Sequence, residues 1–271
     1  MRAAAVALAF WLASASGAAA APSRIVSLNL CADILLVALV APERIAGLTR
    51  HAADPQVSPI AEIARNLPQV SHNAELVLSR APDLVIVGTH GATLTKDLIR
   101  RVGLRMHAIG VLTSFAELRA ELRALGDVVE ERAQAEALVA RIDARLAAVS
   151  RPLTAASPVA LPYGARGGTE GRGSLLDEVI ARAGLRNRAA ELGIGAWGTL
   201  PLEMALRAKP DLLVLEGHAD SAASRGRDLI RHPAFDHMTP PPKRVVLPGS
   251  ALLCAGPATV DAVEQLAASA R

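Results

Sequence analysis

Apolar and polar positions follow two rhythms along this chain. Short continuous apolar or β-branched runs predict buried strands at residues 24–28, 43–50, 84–88, 105–110, 158–164 and 212–217, and in the segment ending at 248. Stretches with apolar residues three and four apart predict helices at 31–42, 74–80, 96–104, 174–184, 202–208 and 258–270. Local punctuation agrees. Asn73 and Ser174 stand where an N-cap side chain would accept from the first free N–H groups, and Gly184 stands at a helix stop. The longest helical pattern runs over 114–150 without a proline, with Gly126 as its single weak point. Ser114 and Glu117 open it with the S-x-x-E spacing of a capping box. One unbroken helix there would be about 50 Å long.

Strands alternating with helices mean an α/β fold with parallel sheets flanked by helices. One segment is also written twice. ELVLSRAPDLVIVGTH fills 75–90, and EMALRAKPDLLVLEGH fills 203–218. The pair predicts two lobes, each with a helix-Pro-Asp-strand unit, joined by one long linking α-helix. The expected division is an N-terminal lobe over 21–112, the linking helix over 113–150 and a C-terminal lobe over 151–271. Ligands of open parallel sheets sit beyond the carboxyl ends of the strands. His90 and His218 fall at those ends, and Glu75 and Glu203 start the preceding helices.

The first residues add a destination. Arg2, an apolar stretch over 3–13 and the Ala18-Ala19-Ala20 site read as a signal peptide over 1–20. The stretch is too short for a membrane anchor, so a soluble periplasmic protein is expected. Cys31 follows a large Leu30 in a strand-like context, which does not suit lipid attachment. The formal charge is only +3, and the chain has three Phe, two Trp and one Tyr. No basic run is interleaved with aromatics, so a nucleic-acid reader is excluded.

The segments RIVSLNLCADILLVAL, NAELVLSRAPDLVIVG, GRGSLLDEVIARAGLRN, WGTLPLEMALRAKPDLLVL and LPGSALLCAGP, in this order, resemble the helical-backbone class of periplasmic solute-binding proteins. Those proteins serve ABC importers of ferric siderophores, haem and cobalamin. The resemblance implies a monomeric binding protein that hands a metal chelate to an inner-membrane permease and its ATPase. It also implies that Glu75 and Glu203, each seven residues before its Pro-Asp, dock onto permease arginines. Pro201 stands two positions before Glu203 where Asn73 precedes Glu75, which alters the cap and leaves the carboxylate.

Ligand-lining candidates come from the loops after the strands: Asn29, Cys31, His90, Tyr163, Arg166, Arg172, Trp197, His218 and Cys254. Tyr163 and Trp197 would stack on a flat chelate. Arg166 and Arg172 would pair with its carboxylates. His90 and His218 are either axial ligands or plain hydrogen-bonding groups. Cys31 and Cys254 are the only cysteines, and either a disulfide or two thiols facing the ligand fits an exported chain. No protein-held cofactor or metal is expected: the histidines lack metal-site spacing, and the glycine-rich loop 164–173 lacks the G-K-[ST] ending of a phosphate cradle. No G-x-S-x-G or H-E-x-x-H is present, which weighs against the alternative of an exported α/β enzyme. A receptor's sensor domain is the third reading. Low aromatic content weakens haem slightly against cobalamin or a ferric siderophore.

Overall fold

The structure, a computed structural model, describes residues 20–217 and 232–270. The leader up to residue 19 and His218 lie outside the described residues.

The N-terminal lobe is built on strands β1 (Ile25–Ser27), β2 (Ile45–Thr49), β3 (Gln69–Val70), β4 (Leu84–Gly88) and β5 (Arg105–Ile109). They form one parallel sheet in the order β3-β2-β1-β4-β5. Its helices are α1 (Leu30–Leu39), α2 (Ala61–Ala64), α3 (Ala74–Leu78) and α4 (Thr93–Arg101). Two helices follow, α5 (Phe115–Val128) and α6 (Arg132–Val149).

The C-terminal lobe holds β6 (Val159–Pro162), β7 (Gly168–Thr169), α7 (Leu175–Arg182), β8 (Arg186–Asn187), α8 (Arg188–Glu191), β9 (Gly198–Thr199), α9 (Leu202–Arg207), β10 (Leu212–Gly217), β11 (Lys243–Pro248), α10 (Gly249–Leu252) and α11 (Pro257–Ser269). Its main sheet is parallel with order β11-β10-β6-β8, and β7 and β9 make a small antiparallel ribbon.

The two sheets share one topology, since β2-β1-β4-β5 corresponds to β8-β6-β10-β11. The doubled sequence builds the corresponding pieces, α3–β4 and α9–β10. Ala81 and Lys209 both take a left-handed backbone, with φ of 47° and 44°. Asp83 then exchanges bonds with the neighbouring strand: its N–H donates to Arg24 O at 3.1 Å, and its carboxylate accepts from the N–H of Ser23 and Arg24. Asp211 repeats this at β6, donating to Val159 O at 2.8 Å and accepting from Val159 N–H at 2.7 Å. The aspartate therefore fastens each helix-to-strand turn to the strand beside it.

Alternate residues of the central strands face different cores, which explains their unbroken apolar runs. Ile25, Leu84 and Ile86 point into a cluster that continues through Leu118, Leu122, Leu138 and Ile142 to Leu212, Val214 and Leu247 in the other lobe. Val26, Val85 and Val87 point the opposite way, toward Val77 of α3 and Ile99 of α4. Leu161, Leu213 and Leu215 do likewise in the second lobe, toward Ala205 of α9 and Phe235.

The single helix expected over 114–150 is instead a hairpin of α5 and α6. Glu131 N–H donates to Gly126 O at 2.7 Å and Glu130 N–H to Asp127 O at 3.4 Å, the paired bonds of a Schellman stop, with Glu130 left-handed at φ 61°. Arg132 grips Asp127 through two nitrogens, at 2.6 and 2.9 Å. The helices then run antiparallel, cross-linked by Arg123–Glu136 at 2.8 Å and Arg119–Asp143 at 2.6 Å. Folding back buries the apolar stripes of both helices in the shared core. That tertiary gain outweighs the continuous helical pattern. The opening box is also only half formed: Ser114 accepts from Glu117 N–H at 3.2 Å, while the Glu117 carboxylate takes the N–H of Thr113 at 2.7 Å. From the turn back, α6 alone runs toward the second lobe. It is about 27 Å long and packs on α1, α5 and α11.

Candidate functional site

Each parallel sheet ends in a cavity at its carboxyl edge. The first, about 160 Å³, lies where the lobes meet, lined by Asn29, Thr89, His90 and Val111 from the N-terminal lobe and by Leu253 and Cys254 from the other. Asn29 is held rigidly because it caps α1, accepting from Ala32 N–H at 3.1 Å. A Cβ on Gly88 would come within 2.9 Å of the Asn29 amide nitrogen and 3.2 Å of the His90 carbonyl, so a side chain there would push against the cap residue. The Lys96 ammonium binds the carbonyls of Gly88 and Thr89 at 3.1 and 3.0 Å and fixes the loop that carries His90. His90 is exposed, with Nδ1 3.1 Å from the Thr89 hydroxyl.

Cys31 and Cys254 both line this cavity and form a disulfide, with Cα atoms 5.2 Å apart across 223 residues of sequence. Of the two readings the sequence left open, the structure takes the bonded one. The bond ties α1 to the turn between α10 and α11, and so ties one lobe to the other.

The second cavity, about 270 Å³, belongs to the C-terminal lobe. Tyr163, Thr169, Glu170, Trp197 and Glu216 line it, with apolar Leu176 and Val214 beneath. Trp197 is 70 % exposed, so its ring is available to a ligand. Tyr163 is only 1 % exposed and meets Phe235 edge-on at 5.6 Å. Its ring is therefore committed to the core and not open to the stacking expected of it. Its hydroxyl has no hydrogen-bond partner among the described residues, and burial first, then the Glu203 charge, pushes its pKa up and disfavours the phenolate. Arg166 and Arg172 are exposed on the same glycine-rich segment but line neither cavity. Arg166 is left-handed at φ 57°.

Glu170 and Glu216 are wall residues that sequence reasoning missed. Burial, then the charge of Glu216, raises the Glu170 carboxyl against a counteracting bond from Ser174. No spacing rule joins a carboxylate in a glycine-rich loop to one at the end of a distant strand; the sheet alone brings them together. Among the described residues, no group of three or more His, Cys, Asp or Glu is arranged to hold a metal ion.

Glu75 and Glu203 stand away from both cavities, exposed on α3 and α9 at the outer faces of the two sheets. Asn73 caps α3 by accepting from Glu75 N–H at 2.8 Å, while Pro201 supplies no side-chain cap to α9. Neither carboxylate forms an ion pair with a described residue.

The Periplasmic binding protein family model matches residues 25–240. This chain belongs to that family. Among solved structures, it is similar to the periplasmic haem-binding protein RhuT of Roseiflexus sp. RS-1 in its apo form, at 26 % identity and a TM-score of 0.71, covering 92 % of this chain and 99 % of that one. The periplasmic haem-binding protein HutB of Vibrio cholerae superposes with a TM-score of 0.76 at 18 % identity over 90 % and 97 % of the two chains. The vitamin B12 binding protein BtuF of the same organism gives 0.67 at 20 % over 92 % and 93 %. At such identities the last two speak for the fold. A search of curated protein sequences finds no match. The family and these structures are binding proteins, and no described helix is long and apolar enough to cross a membrane.

Proposed function

We propose that this protein is the periplasmic substrate-binding component of an ABC importer, exported by its leader, and that it carries a metal chelate of the tetrapyrrole class, cobalamin or haem. The observation that carries the ligand class is Trp197, 70 % exposed in the wall of the larger cavity, where a flat conjugated ligand would stack. The exposed Val111 and Leu253 at the smaller cavity add apolar surface for the same kind of ligand. Family membership and the haem and vitamin B12 carriers among its structural relatives support the reading. In this reading Asn29, His90 and the Cys31–Cys254 bond frame one side of the ligand. Arg166 and Arg172 meet any carboxylates at its edge. Catalysis has no part in it.

Two rigidly spaced carboxylates, Glu75 and Glu203, would engage basic patches on a two-fold symmetric permease, whose ATPase drives release. Once the leader is removed, Trp197 is the only tryptophan, so its fluorescence reports the site directly. Titration of the mature protein with haem, cobalamin and a panel of ferric hydroxamates, checked by calorimetry, should give one-to-one submicromolar binding of a tetrapyrrole. Binding of a hydroxamate alone overturns the ligand class, and binding of none overturns chelate capture.

A further inference from the structure

The doubled segment repeats more than its folding requires. Most of its matched positions have structural work. Val77 and Ala205 are fully buried in the outer cores of their lobes. Leu78 and Leu206 are half-buried, Ala81 and Lys209 share the left-handed turn, and Pro82 and Pro210 are buried behind it. Asp83 and Asp211 fasten the neighbouring strands. The intervening pairs Ser79/Arg207 and Arg80/Ala208 are unlike. Two matched pairs on the helices remain without a structural role: Glu75/Glu203, and the residue directly after each, Leu76/Met204. These two long apolar side chains are 48 % and 45 % exposed.

A single exposed leucine needs no explanation. Two at the same repeat position, equally exposed and each beside a carboxylate without an ion-pair partner among the described residues, do. We propose that Leu76 and Met204 are partner-contact residues, so that each lobe presents a compound patch of one carboxylate and one apolar side chain. The occupant would be a membrane permease with two equivalent subunits, each offering a cation beside an apolar socket. This rests on the docking reading of Glu75 and Glu203. The division of labour is physical. An exposed carboxylate steers and orients the encounter but is screened by water and salt. The apolar neighbour, removed from water on contact, slows dissociation. Methionine at one site and leucine at the other both fit a preformed socket, the thioether adapting more readily. The disulfide and the shared core hold the lobes together, so the second patch engages at high effective concentration once the first has docked.

The test uses the full-length chain in the bacterium that encodes it. Benzoylphenylalanine is placed at position 76, at 204 or, as a control, at Leu94, which is 87 % exposed on α4 outside the repeat. Ultraviolet cross-linking from 76 and 204, and not from 94, to one multi-spanning ABC permease identified by mass spectrometry is the expected result. Purified Leu76→Ser/Met204→Ser protein should then bind inner-membrane vesicles of that bacterium at least tenfold more weakly than the wild type, with Leu94→Ser unchanged. Vesicle binding that is lost in Glu75→Lys/Glu203→Lys but unchanged in Leu76→Ser/Met204→Ser overturns this inference and leaves carboxylate docking standing. Binding unchanged in both overturns both. Equal cross-linking from all three positions overturns the inference as well.

Discussion

Asp33 is the residue whose environment most contradicts its chemistry. It is fully buried in the first turn of α1, and burial pushes its carboxyl up to about 7 against bonds from Ser27 and Thr49. Thr49 donates both its N–H and its hydroxyl to one oxygen, at 3.1 and 2.5 Å, while the other oxygen has no partner among the described residues. The folded state therefore holds a proton that the unfolded chain releases near 3.8. The contribution of Asp33 to stability is then greatest below pH 3.8 and is lost as pH rises through about 7. Urea unfolding between pH 5 and pH 8 should show stability falling across that range, and Asp33→Asn should flatten the profile. An unchanged slope in Asp33→Asn would assign the proton elsewhere.

The hairpin of α5 and α6 sets the predictions at the element scale. Gly126 permits the closest approach of the two helices, since a Cβ there would stand 2.6 Å from the Ala135 Cβ. Gly126→Val should cost roughly 1–3 kcal/mol by overpacking, read from a lower denaturation midpoint at unchanged denaturant slope. Glu130 is the reverse case, a side chain in the left-handed position of a helix stop. Glu130→Gly should stabilise by roughly 1 kcal/mol, because glycine takes that conformation without strain. The hairpin was not legible as such. Its apolar spacing continues across the turn, and nothing at Glu130 or Glu131 resembles the glycine or proline that usually marks a stop. The repeat was legible, because helix, Pro-Asp and strand each carry their own local signal.

At the scale of the whole molecule, one covalent bond and one continuous core join two lobes of the same topology. The Cys31–Cys254 bond closes a loop of most of the described chain, so reducing it should cost roughly 2–5 kcal/mol of stability, measured by urea unfolding with and without a phosphine reductant. Because both sulfurs line the inter-lobe cavity, reduction should also speed amide hydrogen exchange at Thr89–His90 and Leu253–Ala255. Equal exchange in the two redox states would show that the shared core alone fixes the lobes.

Sequence by itself determined the alternation of strand and helix, the doubled unit, the Asn73, Ser114 and Ser174 caps and the loops that border the cavities. These depend on residues close together in the chain, whose apolar period and turn chemistry are local. Only the tertiary structure decided the rest. It bonded Cys31 to Cys254, brought Glu170 beside Glu216, buried the Tyr163 ring while exposing Trp197, and turned one expected helix into two. Each of those outcomes depends on groups distant in sequence competing for the same space, and burial of apolar surface settles that competition through the packed whole.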